Sequence, residues 1–590
     1  MNHEKVFDLN RKWWNFSILL AYVIPTLLVI YLLVQNGTNA PYWDEWETVK
    51  FFHRTQENGF SLHDLLSQRA NEHPIAFPVL VQCMIWAATD CNNIAVLIIS
   101  QIIHAVPLVV MWKYWRKMQM PIMGLLPVAP LMFSLKQGMM LFSGFCIMWW
   151  LLIATSFLSF FSYYKFLNSN KKIFLLLTVV FGVLSSFSAA NGLLIWCAYG
   201  ALFLVQSVFE KKAFSTTPHI LIIFFGVLCW LFYILNLPEG TALRAKSVRS
   251  FLGFLIVGIG NPFFNENNIY PAFLLGVVVL FVVAFIGFYV CLNKKIDEYI
   301  FPILLIVFFG GSMMMVAYGR AGIDPSSIGI RVGLISQYSM MPICFLVAAY
   351  ILVYEFVFIH THANKKLWIS QKIKILIPFL IYVCLFAVSY EKLPLFLDEA
   401  KQTRASGYVL QHSEEVPETF FLRRVHPFYD LTDEIDWMKE NHLFLFHQEI
   451  EYPYDDLANV DDKSAIPEIE SDVGIYCVDE LNGNPPMEEL QIHRETGVSI
   501  AGWAIDDKSG SVPYGVWIEI DGQYFRLSTY ARPDVADALQ NNAYENSGIG
   551  GYIPTLDFQP GVYELNLIIS SSDNDSYSSH KVCLLNIQED

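Results

Sequence analysis

The stretch Trp14–Val34, WNFSILLAYVIPTLLVIYLLV, decides the class of fold. It is long enough to cross a bilayer, which takes about 20 apolar residues, and no small-residue cleavage site follows it. We therefore interpret it as an uncleaved anchor. Of the 590 residues, 54% are apolar and 16% are charged, whereas soluble domains carry about 25% charged residues. The sequence predicts a polytopic α-helical membrane protein.

Apolar runs like the first recur throughout residues 1–390. One run, Ile75–Thr89, is short and follows Pro74, so we expect a juxtamembrane helix on the outer surface rather than a span. The other runs predict eleven transmembrane helices: Trp14–Val34, Ile94–Trp112, Ile122–Leu135, Phe142–Tyr163, Ile173–Phe187, Leu193–Phe209, Ile220–Leu235, Pro271–Leu292, Ile300–Ala317, Val332–Ile359 and Ile373–Val388.

Basic connections between these runs predict the orientation, because Lys and Arg are enriched in cytoplasmic loops. The clusters Lys113–Lys117, Lys171-Lys172, Lys211-Lys212 and Lys294-Lys295 all fall on the side of the amino terminus if Ile75–Thr89 does not cross. The alternative is that this run does cross and one basic loop breaks the rule. We predict a cytoplasmic amino terminus and an extracytoplasmic carboxyl-terminal region.

The charge differs sharply between the two parts of the chain. Residues 1–390 carry 26 Lys and Arg against 16 Asp and Glu, while residues 391–590 carry 12 against 38. A basic membrane region suits anionic lipid headgroups. An acidic tail argues against a nucleic-acid partner.

The tail predicts two further regions after the transmembrane domain of residues 1–390, whose first outer loop covers 36–74. Residues 391–475 form an acidic connecting region with an amphipathic helix at Asp430–Phe446 and a linker at Asp455–Asp472. Residues 476–590 alternate with a period of two, and Val516–Leu527 contains an Asp-Gly hairpin turn. We expect an antiparallel β-sandwich there, with Cys477 and Cys583 as candidates for a disulfide.

The first candidate site is the stretch Pro41-Tyr42-Trp43-Asp44-Glu45-Trp46-Glu47 in the first outer loop. Asp44 and Glu45 are candidate catalytic carboxylates, flanked by Trp43 and Trp46 as possible sugar contacts. The structural alternative is that Asp44 caps a surface helix while the tryptophans form an interfacial belt. Glu72 and His73 close the loop as a metal or acid/base pair, or as a helix start before Pro74.

The second candidate site consists of basic residues that the sequence places on the outer side. Arg244, Lys246 and Arg249 break the positive-inside trend, which indicates an anionic partner such as a phosphate, or snorkelling at the interface. Arg320 and Arg331 flank a Gly- and Pro-containing loop and could clamp a phosphate; a salt bridge from Arg320 to Asp324 is the alternative. Further outer polar residues that could contact a sugar or acceptor are Lys136, Gln137 and Asn191.

Acids, cations and many apolar helices together suit a lipid-borne anionic substrate that reacts outside the cytoplasm. Sugar transfer from a polyprenyl phosphate fits this description. A carboxylate would take the proton from an acceptor hydroxyl, and cations would stabilise the departing lipid phosphate.

The order of first helix, Asp44-Glu45 in the first outer loop, a membrane-lying helix and many further helices resembles the GT-C superfamily of integral-membrane glycosyltransferases. The resemblance covers roughly residues 1–390 and is strongest to bacterial enzymes that modify surface polysaccharide and O-antigen. It implies a bacterial inner-membrane enzyme in which Asp44 acts as the base or orients the acceptor. Arg320 and Arg331 would hold the phosphate of a polyprenyl-phosphate donor, although Ile330-Arg331-Val332 departs from the Ser-Arg-Tyr common in such chains.

The resemblance also implies a glycan or lipid-linked glycan as acceptor. It allows either a divalent cation, Mg²⁺ or Mn²⁺, at the first-loop acid or no metal. Two other functions stay open: a transporter or flippase of lipid-linked sugars, and a membrane-anchored glycan-binding assembly protein that acts through its tail. Few charges and no repeat in the spans argue against the transporter.

Overall fold

The computed structural model divides into two compact units, Met1–Ala400 and Lys401–Asp590. The first unit is helical and the second is rich in β-structure. The structure describes residues 3–211, 217–236, 245, 247–265, 268–322, 331–363, 371–413, 425, 431–447, 452, 460–461, 463–494, 497–530, 532–555 and 558–588. Within these ranges, only the backbone is described for residues 3–16, 331, 361–363, 371–375 and 460.

Apolar helices form most of the described part of the first unit, and the last of them continues past Ala400 into the second unit. Its helices are α1 His3–Asn36, α2 Glu45–Asn58, α3 Leu62–Leu66, α4 Ala76–Ala88, α5 Asn93–His104, α6 Val106–Lys117, α7 Val128–Met132, α8 Gly138–Leu141, α9 Ile147–Ser169, α10 Lys172–Ser186, α11 Leu194–Glu210, α12 Thr217–Leu235, α13 Val248–Ile259, α14 Ile269–Leu292, α15 Ile300–Arg320, α16 Met340–Ala363, α17 Gln371–Glu391 and α18 Leu393–Gln411. A small hairpin pairs β1 Arg69–Ala70 with β2 His73–Pro74.

Within the described residues, nine helical segments are long and apolar enough to cross a membrane, or ten if α17 and α18 form one bent span. We expected eleven. The run Ile173–Phe187 became α10, which at 15 residues is shorter than the usual span. The last run became α17, which continues into α18 across a 42° bend. The expected juxtamembrane run is the 13-residue helix α4.

Two of the expected spans contain breaks. The run Ile122–Leu135 consists of short helical pieces around Pro127 and Pro130, because proline lacks the N–H that continues a helix. The run Val332–Ile359 begins as 3₁₀ turns, Arg331–Leu334 and Ser336–Tyr338, before α16. This second break places irregular backbone beside the site described below.

Close packing of α13 on α14 positions one wall of that site. A Cβ atom added at Gly276 of α14 would lie 2.0 Å from the carbonyl oxygen of Ile256 in α13, whereas one added at Gly287 on the same helix would have no heavy atom of the described chain within 4 Å. Gly276 therefore permits the backbones to approach.

We expect Gly276→Ala to lower stability by about 1–3 kcal/mol, because the two helices must separate. Gly287→Ala is the matched control and should leave stability unchanged or slightly higher, since alanine favours a helix. Thermal unfolding of both variants in detergent measures the difference. Equal melting temperatures for the two variants would show that Gly276 is not needed for the close approach of α13 and α14.

Among its described residues, the second unit contains the end of α18, two further helices and two sheets. The further helices are α19 Thr432–Glu440 and α20 Pro533–Ala538. Its strands are β3 Val460–Asp461, β4 Ile469–Glu470, β5 Ile475–Leu481, β6 Glu489–His493, β7 Val498–Ile505, β8 Val516–Ile520, β9 Gln523–Arg526, β10 Ser528–Tyr530, β11 Gly548–Ile553, β12 Gly561–Ser570 and β13 Ser576–Gln588. One sheet has the order β10-β11-β7-β5; the other runs β3-β9-β8-β12-β13-β4, with β6 also paired to β13.

Inward-facing residues of both sheets share one apolar core, as in a sandwich. The predicted hairpin is present: Asp521 and Gly522 have φ of 50° and 78° between β8 and β9. Two expectations need correction. The sheets are not purely antiparallel, because β4 and β6 pair with β13 in parallel. The predicted linker Asp455–Asp472 supplies β3 and β4, because short segments with free backbone groups can pair along exposed strands.

Cys477 and Cys583, the candidate disulfide pair, are not bonded to each other. Cys477 is exposed on β5 of one sheet, Cys583 is buried in β13 of the other, and both are free thiols.

Candidate functional site

A cavity of about 530 Å³ lies in the first unit. The sequence predicts five intervals within residues 1–390 outside the cytoplasm: 44–73, 134–138, 188–192, 238–270 and 318–331. All except 134–138 contribute to the lining of the cavity, although they are far apart in the chain. Among the described residues, the polar ones that line it are Tyr42, Asp44, Asn71, Glu72, His73, Ser143, Asn191, Arg320, Gln337 and Tyr338. The fold thus brings Asp44 and Arg320 to one cavity.

The remaining wall is largely apolar and contains many methionines, which are flexible and adapt to irregular apolar ligands. Its methionines are Met139, Met140, Met148, Met313, Met315, Met340 and Met341. Aromatic rings from Trp43, Phe145, Trp149 and Phe254 complete the wall. Such a lining suits a hydrocarbon portion next to a polar group.

Asp44 stands immediately before α2, yet its side chain makes no capping hydrogen bond. The carboxylate instead lines the cavity. Burial raises its pKa, the charge of Glu47 raises it further, and Arg320 partly opposes the shift. A carboxylate with a raised pKa is a stronger proton acceptor, which suits a general base.

Glu45, the second expected catalytic acid, does not line the cavity. Its fully buried carboxylate accepts hydrogen bonds from Gln82 Nε2 at 2.7 Å, Asn93 Nδ2 at 3.1 Å and the Tyr42 backbone N–H at 3.2 Å. Burial raises its pKa to about 7 despite these bonds. Because a helix turns by about 100° per residue, neighbouring acids face different ways. Glu45 therefore anchors the loop that carries Asp44.

Glu72, His73 and Arg320 meet on one side of the cavity. Glu72 Oε1 lies 3.6 Å from Arg320 Nη2 and 3.9 Å from His73 Nε2. Burial lowers the pKa of His73 to about 4; Glu72 raises it and Arg320 lowers it further. His73 is therefore neutral at pH 7. Burial raises the pKa of Tyr338 and the charge of Arg320 opposes this shift. Arg320 Nη1 donates to the Gly319 carbonyl at 3.3 Å, which helps to orient the guanidinium.

Other residues singled out in the sequence lie in different places. Asn191 lines the cavity and donates from Nδ2 to the Ser312 carbonyl at 3.3 Å. Three expected contacts do not line it and need correction: Trp46 is fully buried, Lys136 donates from Nζ to Asn265 Oδ1 at 3.4 Å, and Gln137 donates to the Met132 carbonyl at 2.8 Å. All three side chains are buried. Lys136 Nζ and Gln137 Nε2 have acceptors there, whereas Trp46 Nε1 and Gln137 Oε1 have no hydrogen-bond partner in the described part of the chain.

The remaining cations are only partly described. Arg249 is exposed on the first turn of α13 and does not line the cavity. Arg331 begins a 3₁₀ turn, but its side chain is not described. Arg244 and Lys246 lie outside the described residues, and Ala245 between them donates its N–H to the Tyr318 carbonyl at 2.7 Å. Asp324, the alternative partner of Arg320, also lies outside them.

Sequence reasoning missed Trp149, Gln337 and Tyr338. Trp149 stands inside an apolar run that indicates only a span, and Gln337 and Tyr338 fall in a run expected to be continuous helix. The Gly333 and Ser336 positions in that run were the available signal for a break.

Among the described residues, no three His, Cys, Asp or Glu side chains are grouped so as to hold a metal ion. We therefore derive no step through Mg²⁺ or Mn²⁺.

The fold defines a multi-pass helical membrane protein with a carboxyl-terminal β domain. No protein-family model matches the sequence. Comparison with curated proteins also finds no significant match.

Proposed function

We propose that this protein is a membrane glycosyltransferase of the GT-C type. It transfers a sugar from a polyprenyl-phosphate donor to a cell-surface glycan or a lipid-linked glycan, on the extracytoplasmic face of a bacterial inner membrane. The observation that carries this proposal is that Asp44 and Arg320 both line one cavity whose wall is rich in methionine.

The two charged groups divide the chemistry. Asp44 takes the proton of the acceptor hydroxyl, whose oxygen forms the new bond to the anomeric carbon. The bond from that carbon to the phosphate oxygen breaks, and its electron pair leaves with the polyprenyl phosphate. Arg320 stabilises the negative charge on that phosphate. The Gly319 carbonyl accepts a hydrogen bond from Arg320 Nη1 at 3.3 Å and helps to orient the guanidinium.

The apolar part of the cavity supports a lipid-borne donor. The methionine and aromatic side chains can pack against isoprene units, and their flexibility tolerates a range of chain positions. A soluble nucleotide-sugar would instead bring a large polar group, for which this wall offers few hydrogen-bonding partners.

The test is mass spectrometry of surface glycans and lipid-linked sugars from host cells with and without the protein. We expect the deletion to remove one sugar substituent from the glycan and to leave its polyprenyl-phosphate donor untransferred on the outer leaflet. Retention of the donor on the inner leaflet would instead support a flippase. Unchanged glycans and lipids would contradict the proposal.

The glycan-binding alternative depends on the tail. Four aromatic residues of the β domain could form a sugar-stacking surface: Trp503, Trp517, Tyr524 and Tyr530. Of these, Trp517 is fully buried and donates its indole N–H to Asp461 Oδ2 at 2.8 Å. Trp503 packs against the buried Ala536 and Tyr544. These two rings therefore serve packing, which weakens this alternative.

A further inference from the structure

His73 lines the cavity, and its two ring nitrogens have different neighbours. The backbone N–H of Ala190 donates to His73 Nδ1 at 3.2 Å. Nδ1 therefore accepts, and because burial keeps the ring neutral, the proton must be on Nε2. The edge of Trp149, with ring centroids 5.3 Å apart, also holds the imidazole in place. His73 is a fixed hydrogen-bond donor and not a free base.

That donor has no close acceptor in the described part of the chain. The nearest anionic oxygen is Glu72 Oε1, at 3.9 Å from Nε2, which is beyond hydrogen-bonding distance. The same oxygen lies 3.6 Å from Arg320 Nη2. Glu72 Oε1 therefore lies between two hydrogen-bond donors, and its distance from each is longer than a normal hydrogen bond. The side chains of His73 and Arg320 retain 14% and 25% exposure, and both line the cavity.

We propose that His73 Nε2 and Arg320 together bind an oxygen of the donor's phosphate, and that the Glu72 carboxylate occupies this position when no ligand is bound. This inference rests on the proposed function and names the phosphate contact within it. His73 acts by donating a proton in a hydrogen bond and transfers none. Glu72 competes with the ligand, since two anions cannot share the position at low cost.

Two substitutions separate the nitrogens of His73. In His73→Gln the side-chain amide reaches the position of Nε2 and keeps a donor there, but the Nδ1 acceptor for Ala190 is lost. In His73→Asn the shorter amide keeps the acceptor near Nδ1, and the donor is lost. A merely structural His73, needed only to hold Ala190, would tolerate asparagine better than glutamine. A phosphate-binding His73 would show the reverse order.

The probe is farnesyl phosphate, with farnesol as the control that lacks the phosphate, titrated against the full-length protein in detergent. We expect wild type and His73→Gln to bind farnesyl phosphate more tightly than farnesol. His73→Asn should weaken farnesyl phosphate binding roughly tenfold or more, because hydrogen bonds to charged groups contribute strongly, and should leave farnesol binding unchanged. Equal binding by the two variants, or no preference for the phosphate in wild type, would overturn the inference.

Glu72→Gln provides a second measurement that does not depend on the folding of His73→Asn. Removal of the competing charge should tighten farnesyl phosphate binding several-fold. Unchanged or weaker binding would contradict the shared oxygen position. If the wild-type protein binds farnesyl phosphate as expected but transfers no sugar in cells, only the proposed function would be overturned. Intact transfer together with normal phosphate binding by His73→Asn would overturn this inference alone.

Discussion

Asp44→Asn is expected to lower sugar transfer by roughly 10³-fold while the protein remains folded and abundant, because a general base contributes about 10²–10⁴-fold. Asparagine has almost the same shape but cannot accept the proton of the acceptor hydroxyl. The side chain makes no capping hydrogen bond to α2, so its replacement should cost little stability. Transfer is measured in membranes from the modification of the surface glycan, and folding from the melting temperature in detergent.

The matched control is Asp64→Asn, an acid of the same outer loop whose side chain is 63% exposed. This variant should retain wild-type transfer.

The pH dependence of transfer gives a further measurement. Burial and Glu47 raise the pKa of Asp44, so wild-type activity should fall on acidification at a higher pH than for an ordinary aspartate. Normal transfer by Asp44→Asn would remove Asp44 from the mechanism.

Glu45→Ala is expected to lower the free energy of unfolding by about 2–6 kcal/mol, since each buried donor left without an acceptor costs about 1–3 kcal/mol. Gln82 and Asn93 are both 1% exposed and donate to this carboxylate. The loss is comparable with the whole stability of many proteins, about 5–15 kcal/mol. We expect little folded protein in membranes, as measured by detergent extraction and size-exclusion chromatography.

Glu45→Gln is the conservative control because it keeps the shape and one acceptor oxygen. In wild type the pKa of Glu45 is raised to about 7, so the folded state holds this proton more tightly than the unfolded state does. Stability should therefore fall as pH rises from about 4.5 to 7 and level off above 7, by about 3 kcal/mol in total. Glu45→Gln should lose this slope. An identical slope in the variant would show that another group is responsible.

Sequence patterns were sufficient for the helical class and for the β-rich character of the tail, but not for its parallel strand pairings. Long apolar runs have only one stable form in lipid, and alternation with an Asp-Gly turn determined the β8–β9 hairpin locally. The patterns were insufficient where length was borderline, as in α10, and where prolines or serines broke an apolar run. In those places tertiary packing decides between one continuous helix and several short pieces.

The candidate site shows the same division. Asp44, Glu72, His73 and Asn191 were identified as polar residues in outer connections, and they line one cavity. The adjacent Asp44 and Glu45 could not be told apart by sequence, because both are acids after the same helix. Only the positions of Gln82 and Asn93, from distant helices, show that Glu45 is an internal anchor.

By itself the sequence determined that the chain is a polytopic helical protein with a β domain, because hydrophobic length and period-two alternation are local properties. The tertiary structure alone decided that Asp44 and Arg320 line the same cavity. It also decided that His73 presents Nε2 as a donor, since this depends on the Ala190 N–H. Such proximity comes from the packing of helices distant in sequence, which no short motif encodes.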